Sequence, residues 1–171
     1  MIEIKVEDGE VRGLLNRLSG RMQNLSPVMR AISGIMHDAV EENFEREGRP
    51  KWKKLAKSTE EQRAKKGKWP GKILQLSQGG LAAANTQGYN NHSAWVSNNK
   101  EYAAAQQFGT RPFIIRPKNK PYLRFQIGDK WVTKKEIHHP GIPARPFMKL
   151  TPGDLEKIKQ KIGSYLVDGN V

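Results

Sequence analysis

The apolar positions of this chain recur with two different periods. Ile2, Ile4 and Val6 alternate with Glu3 and Lys5, the two-residue period of a half-buried strand, and Asp8-Gly9 ends the run. Val11, Leu14, Leu15, Leu18 and Met22 then recur at steps of three and four, which predicts a helix over residues 10–23. Ser26-Pro27 offers an N-cap followed by proline at the first helical position. Val28, Ile32, Ile35, Met36, Ala39, Val40 and Phe44 make one stripe that runs to about Glu47. Gly48 stands where a left-handed C-terminal residue belongs. At roughly 20 residues, or about 30 Å at the usual rise, this is the expected main core helix.

Beyond Gly48 the pattern thins. Residues 49–57 are polar and extended, with Trp52 and Leu55 as anchors, and Ser58-Thr59-Glu60-Glu61 reads as a capping box opening a short helix to about Lys66. Gly67 and Trp69-Pro70-Gly71 break it, and Ile73, Leu74 and Leu76 follow. Residues 81–86 and 93–97 predict two hairpin strands around a turn-rich segment at 87–91. A short helix over 100–108 is stopped by Gly109. The clearest hairpin joins residues 122–127 to 130–133 through Gly128-Asp129, and residues 134–139 carry its second strand outward. Thr151-Pro152-Gly153-Asp154 caps a last helix with Leu155, Ile158, Ile162, Tyr165 and Leu166 on one stripe. The order of elements predicts an α+β fold: an antiparallel sheet packed against two or three helices, with extended basic arms and a β-hairpin. Residues 1–171 read as a single domain with arm-like excursions at 48–72 and 111–139.

Composition makes that core a modest one. Only 36% of the 171 residues are hydrophobic and the mean hydropathy is −0.73, so long polar excursions are expected, of the kind that order against partners. There is no cysteine, which excludes disulfides, thiol chemistry and Cys-ligated metals. No run approaches the ~18 apolar residues of a membrane span, and Met1-Ile2-Glu3-Ile4 lacks the basic-then-apolar order of a signal peptide. Synthesis and folding in a cytoplasm, without membrane partners, are expected.

The charge is unevenly placed. Of a net +13, residues 48–72 hold ten basic and two acidic groups, and residues 111–139 hold eight and two, whereas residues 1–47 are net −3. Two basic excursions on an otherwise ordinary chain suit polyanions or acidic protein surfaces. Interleaved Trp52, Trp69, Phe113 and Trp131 would allow phosphate contact plus stacking on nucleic acid. The plainer alternative is solvated loops whose aromatics anchor them to the domain. No recognition-helix signature is present, so sequence-specific DNA binding is not expected. The acidic polar face toward the end of the long helix (Asp38, Glu41, Glu42, Glu45, Glu47) opposes the helix dipole and calls for a basic neighbour, and the basic segment comes next in sequence.

Nothing in the chain selects a catalytic centre. His138 and His139 are adjacent and on a strand would face opposite ways; His37 and His92 have no ligand-like spacing. Gly79-Gly80 and Gly67-Lys68 complete no phosphate loop. No metal, no cofactor and no enzymatic activity are expected. In Pro143-Ala144-Arg145-Pro146-Phe147, two prolines stiffen a strap that displays one arginine and one phenylalanine. Either Phe147 plugs the core, or the strap positions a segment at a subunit interface.

Taken in order, several phrases resemble the phage virion morphogenesis (tail-completion) family of Mu-like phages and prophages, and the related neck and tail-terminator proteins of lambdoid phages. They are Ile35-Met36 with Asn43-Phe44; Gly48-Arg49-Pro50-Lys51-Trp52 with Leu55, Ser58 and Thr59; Ile73-Leu74-Gln75-Leu76-Ser77 with Gly80-Leu81; Tyr102-Ala103-Ala104 with Gln107-Phe108-Gly109; and Ile142 to Phe147 with Leu150. The resemblance covers about residues 28–166. Gln78-Gly79-Gly80-Leu81 departs from the family's shorter Ser-Gly-x-Leu. The resemblance implies a non-enzymatic structural protein of the head–tail junction, built into the virion from the host cytoplasm. It would form a homo-oligomeric ring, often hexameric, around the DNA channel, beside other neck and tail proteins and in weak nonspecific contact with genomic DNA. A nonspecific nucleic-acid-binding protein is the alternative. Arg49, Trp52, Lys53, Lys54, Arg111, Arg116, Lys118, Arg124, Lys134, Lys135 and Arg145 are the expected interface residues. Phe44, Gly48, Pro50, Leu74, Tyr102, Gln107, Phe108, Gly109, Pro143, Pro146 and Phe147 are the expected structural motif.

Overall fold

A computed structural model describes residues 8–127 and 130–171. The expected strand at Ile2 to Val6 and the Gly128-Asp129 turn lie outside the described residues. The elements run α1 (Gly9–Gln23), α2 (Ser26–Glu45), α3 (Lys57–Lys65), a short 3-10 turn (Ala82–Ala84), β1 (Asn85–Tyr89), β2 (Ala94–Asn98), α4 (Ala103–Phe108), β3 (Phe113–Ile115), β4 (Leu123–Ile127), β5 (Lys130–Lys134), β6 (Ile137–His139) and α5 (Pro152–Asp168). The α+β class is as expected. The strands form three two-stranded sheets, β1-β2, β3-β6 and β4-β5. No helix among the described residues is long and apolar enough to cross a membrane. Two compact units divide the chain: residues 1–39, 86–97 and 150–171 form the first, and 40–85 with 98–149 the second.

The first unit is built on the two expected stripes. Val28 and Ile32 of α2 and Tyr165 of α5 are buried together, with Leu25, Met29, Ile158, Ile162 and Leu166 packed against them. The Thr151 hydroxyl accepts from the Asp154 backbone N–H, and the Asp154 carboxylate accepts from the Thr151 N–H at 2.8 Å. The expected cap on α5 is therefore a reciprocal capping box. At the other end of α5 the Arg21 guanidinium donates to the Leu166 carbonyl at 2.7 Å, a cation where the dipole favours one. Ser26, by contrast, is the first residue of α2 rather than its cap. Asn91, from the β1-β2 connection, supplies the cap: its Oδ1 accepts from the backbone N–H of Leu25 (2.6 Å) and Ser26 (3.1 Å). The stripe of α1 is the opposite case, with Val11, Leu14, Leu15 and Met22 exposed.

In the second unit, α2 closes through a Schellman-type turn. Gly48 N–H donates to the Asn43 carbonyl at 2.7 Å and Glu47 N–H to the Phe44 carbonyl at 3.4 Å. The left-handed C-terminal residue is thus Glu47 (φ 55), one position before the expected glycine, and Gly48 follows at φ 98. A Cβ on Gly48 would lie 2.4 Å from the Trp52 ring, so only glycine fits beneath that indole. The expected capping box at Ser58 does not form; α3 starts at Lys57, after Ala56, without a side-chain cap. The first expected hairpin strand is a 3-10 turn up to Ala84, and the pairing strand begins at Asn85. The helix expected over 100–108 is confined to Ala103–Phe108.

The 111–139 region also differs from the expectation. β4 and β5 pair in the expected antiparallel register, with Phe125 opposite Val132 and Gln126 opposite Trp131. β5 stops at Lys134, however, and residues 137–139 form β6, paired with β3 so that Phe113 faces His139. Their rings stack at 4.6 Å. A single outgoing strand is therefore replaced by two sheets, the β3-β6 pair at the root and β4-β5 beyond it.

Candidate functional site

The strap and the phrase ending in Gly109 run along each other. Thr110 N–H donates to the Ile142 carbonyl and Ile142 N–H to the Thr110 hydroxyl, both at 2.9 Å. Arg145 N–H donates to the Gln106 carbonyl at 2.8 Å. The Gln107 Oε1 accepts from the backbone N–H of both Phe147 (2.9 Å) and Met148 (3.0 Å). Gly109, at φ 74, sits so close that a Cβ would lie 2.6 Å from the Ile142 carbonyl oxygen. Two proline-set or glycine-set segments thereby satisfy one another's backbone groups.

On its other side the strap meets α2 and the segment after it. Phe147, 1% exposed, packs on Phe44 with ring centroids 5.2 Å apart, and Trp52 meets Phe44 edge-on at 5.8 Å. The Trp52 indole N–H donates to the Pro146 carbonyl at 3.2 Å. Asn43, fully buried, donates to the carbonyls of Phe147 (2.7 Å) and Lys149 (2.8 Å) and accepts from Arg49 Nε at 2.9 Å. Arg49 also pairs with Glu42, so the acidic tail of α2 does receive a basic partner from the segment that follows. Arg145 reaches the Lys53 and Lys54 carbonyls, each at 3.0 Å. Its burial, and secondarily Arg63, lower its proton affinity from the ordinary arginine value. This is the carbonyl engagement that a planar fork of donors permits.

Of the two Phe147 readings, the core one describes the observed packing. Trp52 and Arg145 are likewise buried within the second unit, and Arg49 is half-buried in the Asn43–Glu42 network. Lys53, Lys54, Arg111, Arg116, Lys118, Arg124, Lys134 and Lys135 are exposed. Arg124 lies 4.9 Å from the centroid of the Trp131 ring, and Arg116 pairs with Glu136 at 3.1 Å. Hydrogen bonds from His138 and Arg116 hold the Glu136 carboxyl below its usual range. Among the motif residues, Phe44, Gly48 and Phe147 are buried, Leu74 adopts φ 63, and Tyr102 and Phe108 are exposed, Phe108 at 77%.

Asn43 and Gln75 stand in the family phrases but outside the expected interface and motif residues, and Asn98 stands in neither, although each secures a turn. Gln75 Nε2 donates to the Phe44 carbonyl at 2.7 Å, and Asn98 Nδ2 to the Leu81 carbonyl and Asn85 Oδ1, both at 2.8 Å. Asn43 had a signal: it falls three residues after Val40 and seven after Met36, a polar group on the apolar stripe. On α2, ligand atoms of His37, Asp38 and Glu41 lie within 4.8 Å of one another, with both carboxylates exposed. Exposed acidic groups on a helix are common without an ion, and these carry no metal assignment.

The comparisons with known proteins agree with the ordered phrases. The model of the phage virion morphogenesis family matches residues 6–167. The chain is also 35% identical, over 170 residues and 96% of both chains, to the Mu-like prophage FluMu G protein 2 of Haemophilus influenzae. The chain belongs to the phage virion morphogenesis family. No solved structure matches it. Family membership supplies a role in making the phage particle. The network around Asn43, Gln107 and Phe147 brings three of those phrases, far apart in sequence, into one packed junction.

Proposed function

We propose that this protein is a structural, non-enzymatic subunit of the phage head–tail junction, acting in tail completion or as a terminator or neck connector. It assembles in the host cytoplasm as a homo-oligomeric, hexameric ring, enters the virion, and joins tail to head around the DNA channel beside other neck and tail proteins. The observation that carries the reading is the division of the second unit into a tightly bonded junction and exposed basic segments. Lys53, Lys54, Arg111, Lys118, Lys134 and Lys135 face solvent, while Asp38, Glu41 and Glu45 expose acidic groups on α2. A closed ring requires two different complementary patches on each subunit, and opposite charges on different parts of one chain suit that need.

The net charge of +13 favours one second reading, nonspecific binding of nucleic acid. Size-exclusion chromatography with light scattering, with and without random duplex DNA, separates the two. A discrete oligomer formed without nucleic acid is the expected result. A monomer that grows only when DNA is added would replace the connector with the nucleic-acid-binding protein.

A further inference from the structure

The hydrogen bonds of Arg145 are made within the chain, but its charge is not neutralised there. The guanidinium is 5% exposed and donates only to neutral groups, the Lys53 and Lys54 carbonyls. Burial lowers its proton affinity, and nearby Arg63 lowers it further. Arg63 itself donates to another neutral group, the Lys72 carbonyl, at 3.2 Å. The side chains of Lys53, Lys54 and Lys57 stand exposed on the adjoining stretch. Among the described residues, no carboxylate forms an ion pair with any of these cations. Buried charges are ordinarily compensated, so this corner of the second unit calls for an anion from another molecule.

Helix α2 carries the opposite excess. Glu42 is taken up by Arg46 and Arg49, and Glu47 accepts from the Ile73 N–H. Asp38 and Glu45, however, are exposed and form no ion pair among the described residues. They stand two helical turns apart, on one face and about 10 Å from each other. Carboxylate oxygens of Asp38 and Glu41 lie within 4.8 Å, and like charges that close favour a cation beside them. Both surfaces are in place before a partner arrives. The Arg145 fork and the Trp52–Pro146 bond hold the backbone of the lysines, and the carboxylates project from a 20-residue helix. Little ordering cost therefore opposes their pairing. The hairpin lysines, by contrast, sit on a two-stranded sheet that is marginal by itself.

We propose that the Lys53–Lys54 surface, backed by Arg145 and Arg63, receives the Asp38–Glu45 face of α2 from a neighbouring copy. This deepens, and rests on, the reading of the chain as a ring subunit. The two surfaces are different parts of one protomer, so the contact is heterologous, the kind that propagates around a ring. Its charges set register and partner choice.

Charge reversal in the full chain tests it, read by light scattering over a concentration series, with circular dichroism to confirm that each variant is folded. Lys53→Glu with Lys54→Glu leaves Arg145 both of its backbone acceptors. This pair should raise the concentration for half-assembly at least about 10-fold, because like charges then face one another. Asp38→Lys with Glu45→Lys should do the same. An equimolar mixture of the two proteins should assemble within about threefold of wild type, since alternating subunits again join opposite charges. Lys134→Glu with Lys135→Glu makes the same change of net charge on the hairpin, and the Asp38→Lys, Glu45→Lys protein should not rescue it. A wild type that assembles while either reversed pair assembles equally well, while the mixture stays dissociated, or while the hairpin pair is rescued as fully, overturns the docking and leaves the ring. A wild type that stays monomeric at every concentration overturns the ring reading and the docking together. Growth only on adding random duplex DNA would do so too, and would assign the lysines to phosphate.

Discussion

Arg145 and Arg124 both belong to proline-punctuated stretches of the second unit, yet they have opposite fates. Arg145 is buried, its fork bonded to the Lys53 and Lys54 carbonyls, on a strap whose backbone is paired with Gln106, Gln107 and Thr110. Arg124 lies exposed over an exposed indole, on a two-stranded sheet whose Leu123, Phe125 and Val132 share a face that is only half-buried. A pair of strands by itself is marginal in water. What separates the regions is thus the supply of hydrogen-bond and packing partners from the chain itself. The strap has them, and the hairpin leaves room for another molecule to supply them.

Substitutions should divide along the same line. The largest effect is expected of Phe147→Ala, which removes a buried ring that packs on Phe44 and should cost roughly 3–5 kcal/mol in urea unfolding. A cost below about 1 kcal/mol would mean that the ring belongs to an interface after all. Gln107→Ala leaves the Phe147 and Met148 N–H groups without their acceptor and should cost about 1–3 kcal/mol. The joint substitution of Arg124 and Lys134 by Ala should stay within about 0.5 kcal/mol of wild type in the same assay, because both side chains are solvated, while weakening assembly. A stability loss comparable to that of Gln107→Ala would erase the distinction. Least affected of all should be DNA binding: anisotropy titrations of random duplex against salt should give a shallow slope, at about 0.9 per neutralised phosphate, corresponding to on the order of three contacts or fewer. Submicromolar binding at physiological salt would instead favour the nucleic-acid reading.

The elements that could be read from sequence were those whose determinants are local. The stripes of α2 and α5, the Thr151–Asp154 box and the Phe125–Val132 register each follow from periodicity or from residues within a turn of each other. Where the determinant is remote, local rules misplace the boundary. Ser26 looks like a cap, but Asn91 does the capping across 65 residues of sequence. Ser58 has capping-box neighbours, yet α3 starts before it. The strand after Lys134 turns back because Phe113–Ile115 offers it a ladder. The site follows the same logic. The expected interface set groups Arg145 with Arg124, since sequence alone does not reveal which arginine has carbonyls of its own chain within reach. Trp52 reads, with Leu55, only as an anchor in a basic loop until Pro146 and Phe44 are seen beside it.

The central claim, that the strap is complete within one chain and the hairpin is completed by another, can be tested by amide hydrogen exchange on wild-type protein below and above its assembly concentration. The amides of Arg145, Phe147 and Met148, paired with Gln106 and Gln107, should be protected equally in both conditions, whereas those at 123–126 and 131–134 should exchange fast when dilute and gain protection on assembly. Full protection of the hairpin in the dilute monomer, or no gain upon assembly, would contradict the account.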